Sequence, residues 1–131
     1  MKEYVEELSN EKLNFYTAKV LGLVLVEKRP ESSTMPNTTV HTLSGFMSRK
    51  WNPTQQWEDM GILLNHFHPS INWNGKLCYV EIFYRNYLKK HFTRGNNKSF
   101  IACHYDVRVA LCKAVVGYYY GHSFDSEDIT Q

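Results

Sequence analysis

DVRVALCKAVVGYYYG, Asp106 to Gly121, is the stretch on which the fold turns. Asp106 suits a helix N-cap, because its carboxylate can accept an orphan backbone N–H of the first turn. Gly121 suits the residue just past the end, where a left-handed conformation costs glycine little. Between them Val109, Cys112, Val116 and Tyr119 recur as one stripe, and Ala110, Leu111, Ala114 and Val115 are apolar as well. Only Arg108 and Lys113 carry charge. A helix apolar nearly all round is largely buried. The rest of the chain must therefore supply the elements that cover it.

Two other helices are readable. Ser9 is a good N-cap, and Leu8 and Leu13 stand where a hydrophobic staple places them. Leu13, Tyr16, Thr17, Val20 and Leu21 follow at helical spacing, and Gly22 ends the run. In WNPTQQWEDMGILL, Trp51 to Leu64, Asn52 suits an N-cap and Pro53 the first helical position. Trp57, Met60, Leu64 and Phe67 then form an apolar face, opposite the polar Gln55, Glu58, Asp59 and Asn65. His68-Pro69 ends this helix. Trp57 is expected in the core. Trp51, at the corner before the helix, is the residue of this stretch free to face a ligand.

Extended segments separate the helices. Leu23 to Val26 is a short strand candidate, residues 29–38 have loop composition, and 39–49 reads as extended with a bulge at Gly45. Ile71 to Trp73, then Asn74-Gly75, then Lys76 to Tyr84 read as a hairpin, with positive φ at both Asn74 and Gly75 in a type I′ turn. Residues 87–99 are ambiguous, with a turn at 95–97. The order is helix, strand, strand, helix, hairpin, helix. The economical solution is an α+β fold, a small mostly antiparallel sheet packed with helices. The 131 residues suit one domain over 1–131, with its core at about 8–121 and an acidic tail at 122–131.

The three motifs together carry a resemblance. Ala18, Lys19 and Gly22 close the first helix. Trp51, Pro53, Thr54, Trp57, Gly61, Leu63 and Leu64 make up the second motif, and Ala110, Val116 and Gly121 lie in the last helix. In this order the chain resembles the NinX-like family of small phage proteins and, more distantly, the phage ABA sandwich domain. The resemblance implies a phage or prophage source and an α-β-α sandwich with helices flanking the sheet. It implies no reaction. Asp106-Val107 replaces the family's Thr-Pro at the start of the last helix, and the basic stretch from Arg85 to Lys98 has no counterpart in the family pattern.

Composition narrows the function. The net charge of +2 gives no global preference for a polyanion. The three cysteines are odd in number and form no Cys-x-x-Cys, as in a reducing compartment. No apolar run is long enough to cross a bilayer. No export signal is recognised, so the cytoplasm of the bacterial host is expected and no membrane partner. No phosphate loop, dinucleotide fingerprint, nucleophile elbow or zinc-protease motif occurs. His66-x-His68 lacks a readable third ligand, and Cys103-His104 lacks an orienting carboxylate other than the helix cap Asp106. Glu58-Asp59 reads as a solvated pair. The chain reads as non-enzymatic, with no cofactor and no metal.

Binding is the remaining class. The segment from Ile82 to Tyr105 holds Arg85, Lys89, Lys90, Arg94 and Lys98 and no acid, and Tyr87 lies among them. Cations can neutralise phosphates and a tyrosine can stack on a base. The same segment could meet an acidic protein surface, or be a solvated edge. Arg108, on the mostly buried helix, could pair with an acid such as Glu81 or reach a pocket at a subunit interface. Partner-binding candidates are thus Trp51, Arg85, Tyr87, Lys89, Lys90, Arg94, Lys98 and Arg108. The leading expectation is a phage accessory protein that counteracts a host defence by docking on a host protein or nucleoprotein complex and blocking it. The alternatives are a homo-oligomeric sponge for an anionic nucleotide signal and a nucleic-acid-binding regulator.

Overall fold

A computed structural model describes residues 2–23, 39–41, 48–83 and 99–129. The helix read from Asp106 is α3, Val107–Tyr120, and it is the centre of the molecule. Val109, Ala110, Leu111, Cys112, Ala114, Val115, Val116 and Gly117 are all buried. Each of its larger apolar side chains, Leu111, Val115 and Val116, gains about 1.5–3 kcal/mol from that burial.

One side of α3 lies on a three-stranded antiparallel sheet in the order β4, β5, β6. Its strands are β4 Ser70–Asn74, β5 Leu77–Phe83 and β6 Ser99–His104. Along β5, Cys78, Val80 and Ile82 are buried and face α3. The register places Cys78 beside Trp73 and His104, and Val80 beside Ile71 and Ala102, so these share the α3 side. The other side of the sheet carries the exposed Phe83, Ile101 and Cys103. On the far side of α3 sits α1, Asn10–Leu21, so the layers run sheet, α3, α1. The helix α2, Trp57–Phe67, leans on α3 through a buried set of Asp59, Met60, Leu63 and Phe67. An α+β fold with a small antiparallel sheet and helices is what the residues build.

Several local expectations hold. Ser9 caps α1 by accepting the Lys12 N–H at 3.2 Å, and Gly22 closes it at φ 71°. His68 ends α2 in a left-handed conformation, φ 48°, donating its N–H to the Leu64 carbonyl.

Others change. The helix α2 starts at Trp57 and not at Pro53; residues 52–56 form a turn in which the Asn52 carbonyl accepts the Gln55 and Gln56 N–H groups. The hairpin loop is Gly75-Lys76, closed by the Asn74–Leu77 pair, one residue later than the Asn-Gly reading. Only Gly75 has positive φ there, as a type II′ turn requires at its first central position. The extended stretch 39–49 is two short strands, β2 Thr39–His41 and β3 Ser48–Lys50, paired antiparallel. The strand candidate at 24–26, the loop at 29–38 and the bulge at Gly45 lie outside the described residues.

The acidic tail is also part of the fold. β1, Lys2–Tyr4, pairs antiparallel with β7, Ser123–Asp125. A 3-10 turn, Val5–Glu7, follows β1 and buries Val5, whose N–H donates to the His122 carbonyl at 3.0 Å. Phe124 packs edge-on against Tyr16, ring centroids 5.0 Å apart, and against Tyr120. The core therefore runs from Val5 to Phe124, wider than 8–121 at both ends.

Candidate partner-binding site

The two tryptophans of the Trp51–Leu64 motif exchange places. Trp51, the expected ligand-facing residue, is 1% exposed, and its indole N–H donates to Thr17 Oγ1 at 3.0 Å. It is a core residue with its one polar atom satisfied, and the expectation that it faces a ligand is corrected. Trp57, the expected core residue, is 62% exposed. It occupies the first position of α2, so its side chain projects beyond the layer that Met60, Leu63 and Phe67 fill.

Trp51 belongs to a buried polar staple between the 52–56 turn and α1. Asn14 donates from Nδ2 to Asn52 Oδ1 at 2.8 Å, and its Oδ1 accepts both the Thr54 N–H and the Thr54 hydroxyl. Thr17 donates to the Asn14 carbonyl. Asp59 does not face solvent with Glu58. It is fully buried, and its Oδ2 accepts the Asn52 N–H at 2.8 Å.

Around Trp57 the surface is organised by the first turn of α3. Asp106 caps that helix: its Oδ1 accepts the Arg108 N–H at 2.9 Å. Its own N–H donates to His104 Nδ1 at 2.9 Å, which places the imidazole proton on Nε2 in the neutral ring. The Arg108 side chain folds back and grips the cap carboxylate with two bonds, Nε to Oδ1 at 3.1 Å and Nη2 to Oδ2 at 3.0 Å. Its third bond runs from Nη1 to the Gln55 carbonyl at 2.8 Å. The guanidinium lies over the Trp57 ring, 4.5 Å from the centroid. Tyr105, 70% exposed, stands edge-on to His104 at 5.8 Å.

The electrostatics follow from these contacts. The Arg108 guanidinium hydrogen-bonded to Asp106 holds that carboxyl below its ordinary value. The same contact raises Arg108 further above its own. The pair is therefore ionised and internally neutralised. Arg108 meets Asp106 and not Glu81, and Lys113 reaches the Glu6 carbonyl at 3.1 Å.

Cys78 lies beside His104 in the sheet register, with Asp106 two residues on. Burial pushes the Cys78 thiol up, the Asp106 charge adding to it, so it is held as the thiol and not the nucleophilic thiolate. Cys103, the cysteine adjacent to His104 in sequence, is exposed on the opposite side of the sheet from His104. Among the described residues no group of three or more His, Cys, Asp or Glu could hold a metal ion. No described helix is long and apolar enough to cross a membrane.

Of the two candidates among the described residues, Arg108 stands at this surface and Trp51 does not. Arg85, Tyr87, Lys89, Lys90, Arg94 and Lys98 lie outside the described residues. Tyr105 and Trp57 were missed as site residues. Tyr105 had a readable signal, since it directly precedes the capping Asp106 and so falls outside the buried stripe of α3. No family model matches the chain, and no curated protein matches it.

Proposed function

We propose that this chain is a non-catalytic binding protein that docks on a protein partner through the surface where Arg108 lies over Trp57, with the exposed Tyr105 next to the Asp106 cap. The observation that carries this reading is Arg108, fixed by Asp106 and the Gln55 carbonyl against the ring of an exposed tryptophan. Trp, Tyr and Arg are the residues that most often dominate binding energy at protein interfaces. An arginine already immobilised loses little further entropy when a partner covers it. Its charge is also matched by Asp106, which favours a desolvating protein surface over a free phosphate at this spot. The resemblance extends the reading to a phage accessory protein that blocks a host protein or nucleoprotein complex in the host cytoplasm.

The test is a comparison of variants in pull-down from the host, followed by titration with the recovered protein. Trp57→Ala and Tyr105→Ala should each weaken binding by about thirtyfold or more, as hot-spot truncations do. Phe83→Ala, an exposed apolar change on the far side of the sheet, should leave affinity unchanged. Equal affinity for wild type and Trp57→Ala would overturn the assignment of this face.

A further inference from the structure

We propose that β4 is a homodimerisation edge, pairing antiparallel with β4 of a second copy about a two-fold axis at Asn72. Among the described residues β4 lies at one edge of its sheet, with β5 on its other side. The two-residue Gly75-Lys76 loop closes on Asn74 and Leu77, the pair that such a hairpin hydrogen-bonds. Bonded and non-bonded positions alternate along an antiparallel strand. The main-chain groups of Ser70, Asn72 and Asn74 therefore point to β5. Those of Ile71 and Trp73 point away from β5, to the edge that no described strand pairs with.

The sequence of the strand is self-complementary about that axis. Ser-Ile-Asn-Trp-Asn reads polar, apolar, polar, apolar, polar, symmetric around Asn72. Laid antiparallel on itself, it sets Ile71 opposite the partner subunit's Trp73, and Trp73 opposite the partner subunit's Ile71. These are the positions whose N–H and C=O groups face outward, so both pairs can exchange main-chain hydrogen bonds. Asn72 then meets its own copy at a non-bonded position, where side chains come closest. A one-residue slip would lose both matches.

Side chains favour the same pairing. Ile71 and Trp73 share the side of the sheet that α3 covers at β5 and β6, yet they are 36% and 58% exposed. Each would be covered by its cross-strand partner from the second copy. Sheet edges are commonly guarded by Lys, Pro or inward charges. β4 has none of these and no charge at all, so the two-fold axis sets no like charges opposite one another.

Sedimentation of the full chain from micromolar to hundreds of micromolar tests the proposal. The expected mass climbs from 15.4 kDa toward twice that value with concentration. Trp73→Lys should move the dimerisation midpoint up by about tenfold or more, with the unfolding midpoint of the dilute protein unchanged because the side chain is exposed. In a Cys103→Ser background, Asn72→Cys should form an intermolecular disulfide under mild oxidation, and Asn74→Cys, off the axis, should not. A monomer at every concentration would overturn the pairing. So would a dimer indifferent to Trp73→Lys, or cross-linking as fast at Asn74→Cys as at Asn72→Cys. Trp57→Ala should not alter the dimer, which separates this edge from the docking face.

Discussion

Asn14 shows what single residues do in this fold. It sits on the buried side of α1 and is the hub through which Asn52 and Thr54 are tied down. Asn14→Ala leaves the buried Thr54 N–H without its acceptor, while the Thr54 hydroxyl keeps Asn52 Oδ1, and an orphaned buried group costs about 1–3 kcal/mol. Urea unfolding should show a fall in that range, while Asn65→Ala, exposed on α2, should change little. The network was only half legible beforehand. Thr17 fell on the apolar stripe of α1, and a polar residue there needs a partner, but nothing in the sequence says the partner is the Trp51 indole 34 residues away. The same distance problem exchanged the tryptophans. Periodicity assigns Trp57 to the Met60 face, whereas Asp59 takes the inner position because its carboxylate closes back onto the Asn52 N–H. A charged residue reads as solvent-facing until its partner is known.

At the scale of elements, the sequence specified α1 and α3 nearly to the residue, since each has a capping side chain at its start and glycine at its end. The start of α2 slipped by four residues because Gln56 gives its first turn no side-chain hydrogen bond and Asn52 serves the preceding turn instead. β6 was not legible: Phe100 and Ala102 on one face and Ile101 on the other leave no clean alternation. Two glycines separate packing from propensity. Gly61 lies within α2 with nothing near where a Cβ would be, so Gly61→Ala should raise stability by about 0.5–1 kcal/mol. Gly117 lies within α3, and a Cβ there would overlap the Phe100 ring. Gly117→Ala should lower the unfolding midpoint despite alanine's better helix propensity, and Gly117→Ala with Phe100→Leu should recover part of the loss. Opposite signs for the two alanines, read by thermal melts, confirm that α3 needs its glycine to approach the sheet.

At the scale of the whole fold, the β1–β7 ribbon closes over Tyr16 and Tyr120, and that closure is sensitive to alkali. Glu3 accepts both the Lys12 ammonium at 2.7 Å and the Tyr16 hydroxyl at 3.2 Å. Burial, with Glu3 adding to it, raises Tyr16; burial, with Tyr119 adding to it, raises Tyr120 to about 12. A phenol that holds its proton more tightly when folded gives stability that is complete below the ordinary phenol value of about 10. That stability is lost as pH climbs through the folded value. The melting temperature should therefore fall steeply between about pH 10 and pH 12, and Tyr120→Phe should flatten the fall, with phenolate absorbance reporting the ionisation directly. The β1–β7 ribbon also sets an order of events during synthesis. Lys2 has Asp125 as its strand partner, so a nascent chain carries β1 without that partner until β7 has been synthesised. Helices α1 and α3 can form as they emerge, but Val5 lacks its His122 hydrogen bond and Tyr16 its Phe124 contact until β7 and the residue before it have emerged. Pairing of β1 thus waits for β7 to be made, and the strand spends that interval without its β7 partner.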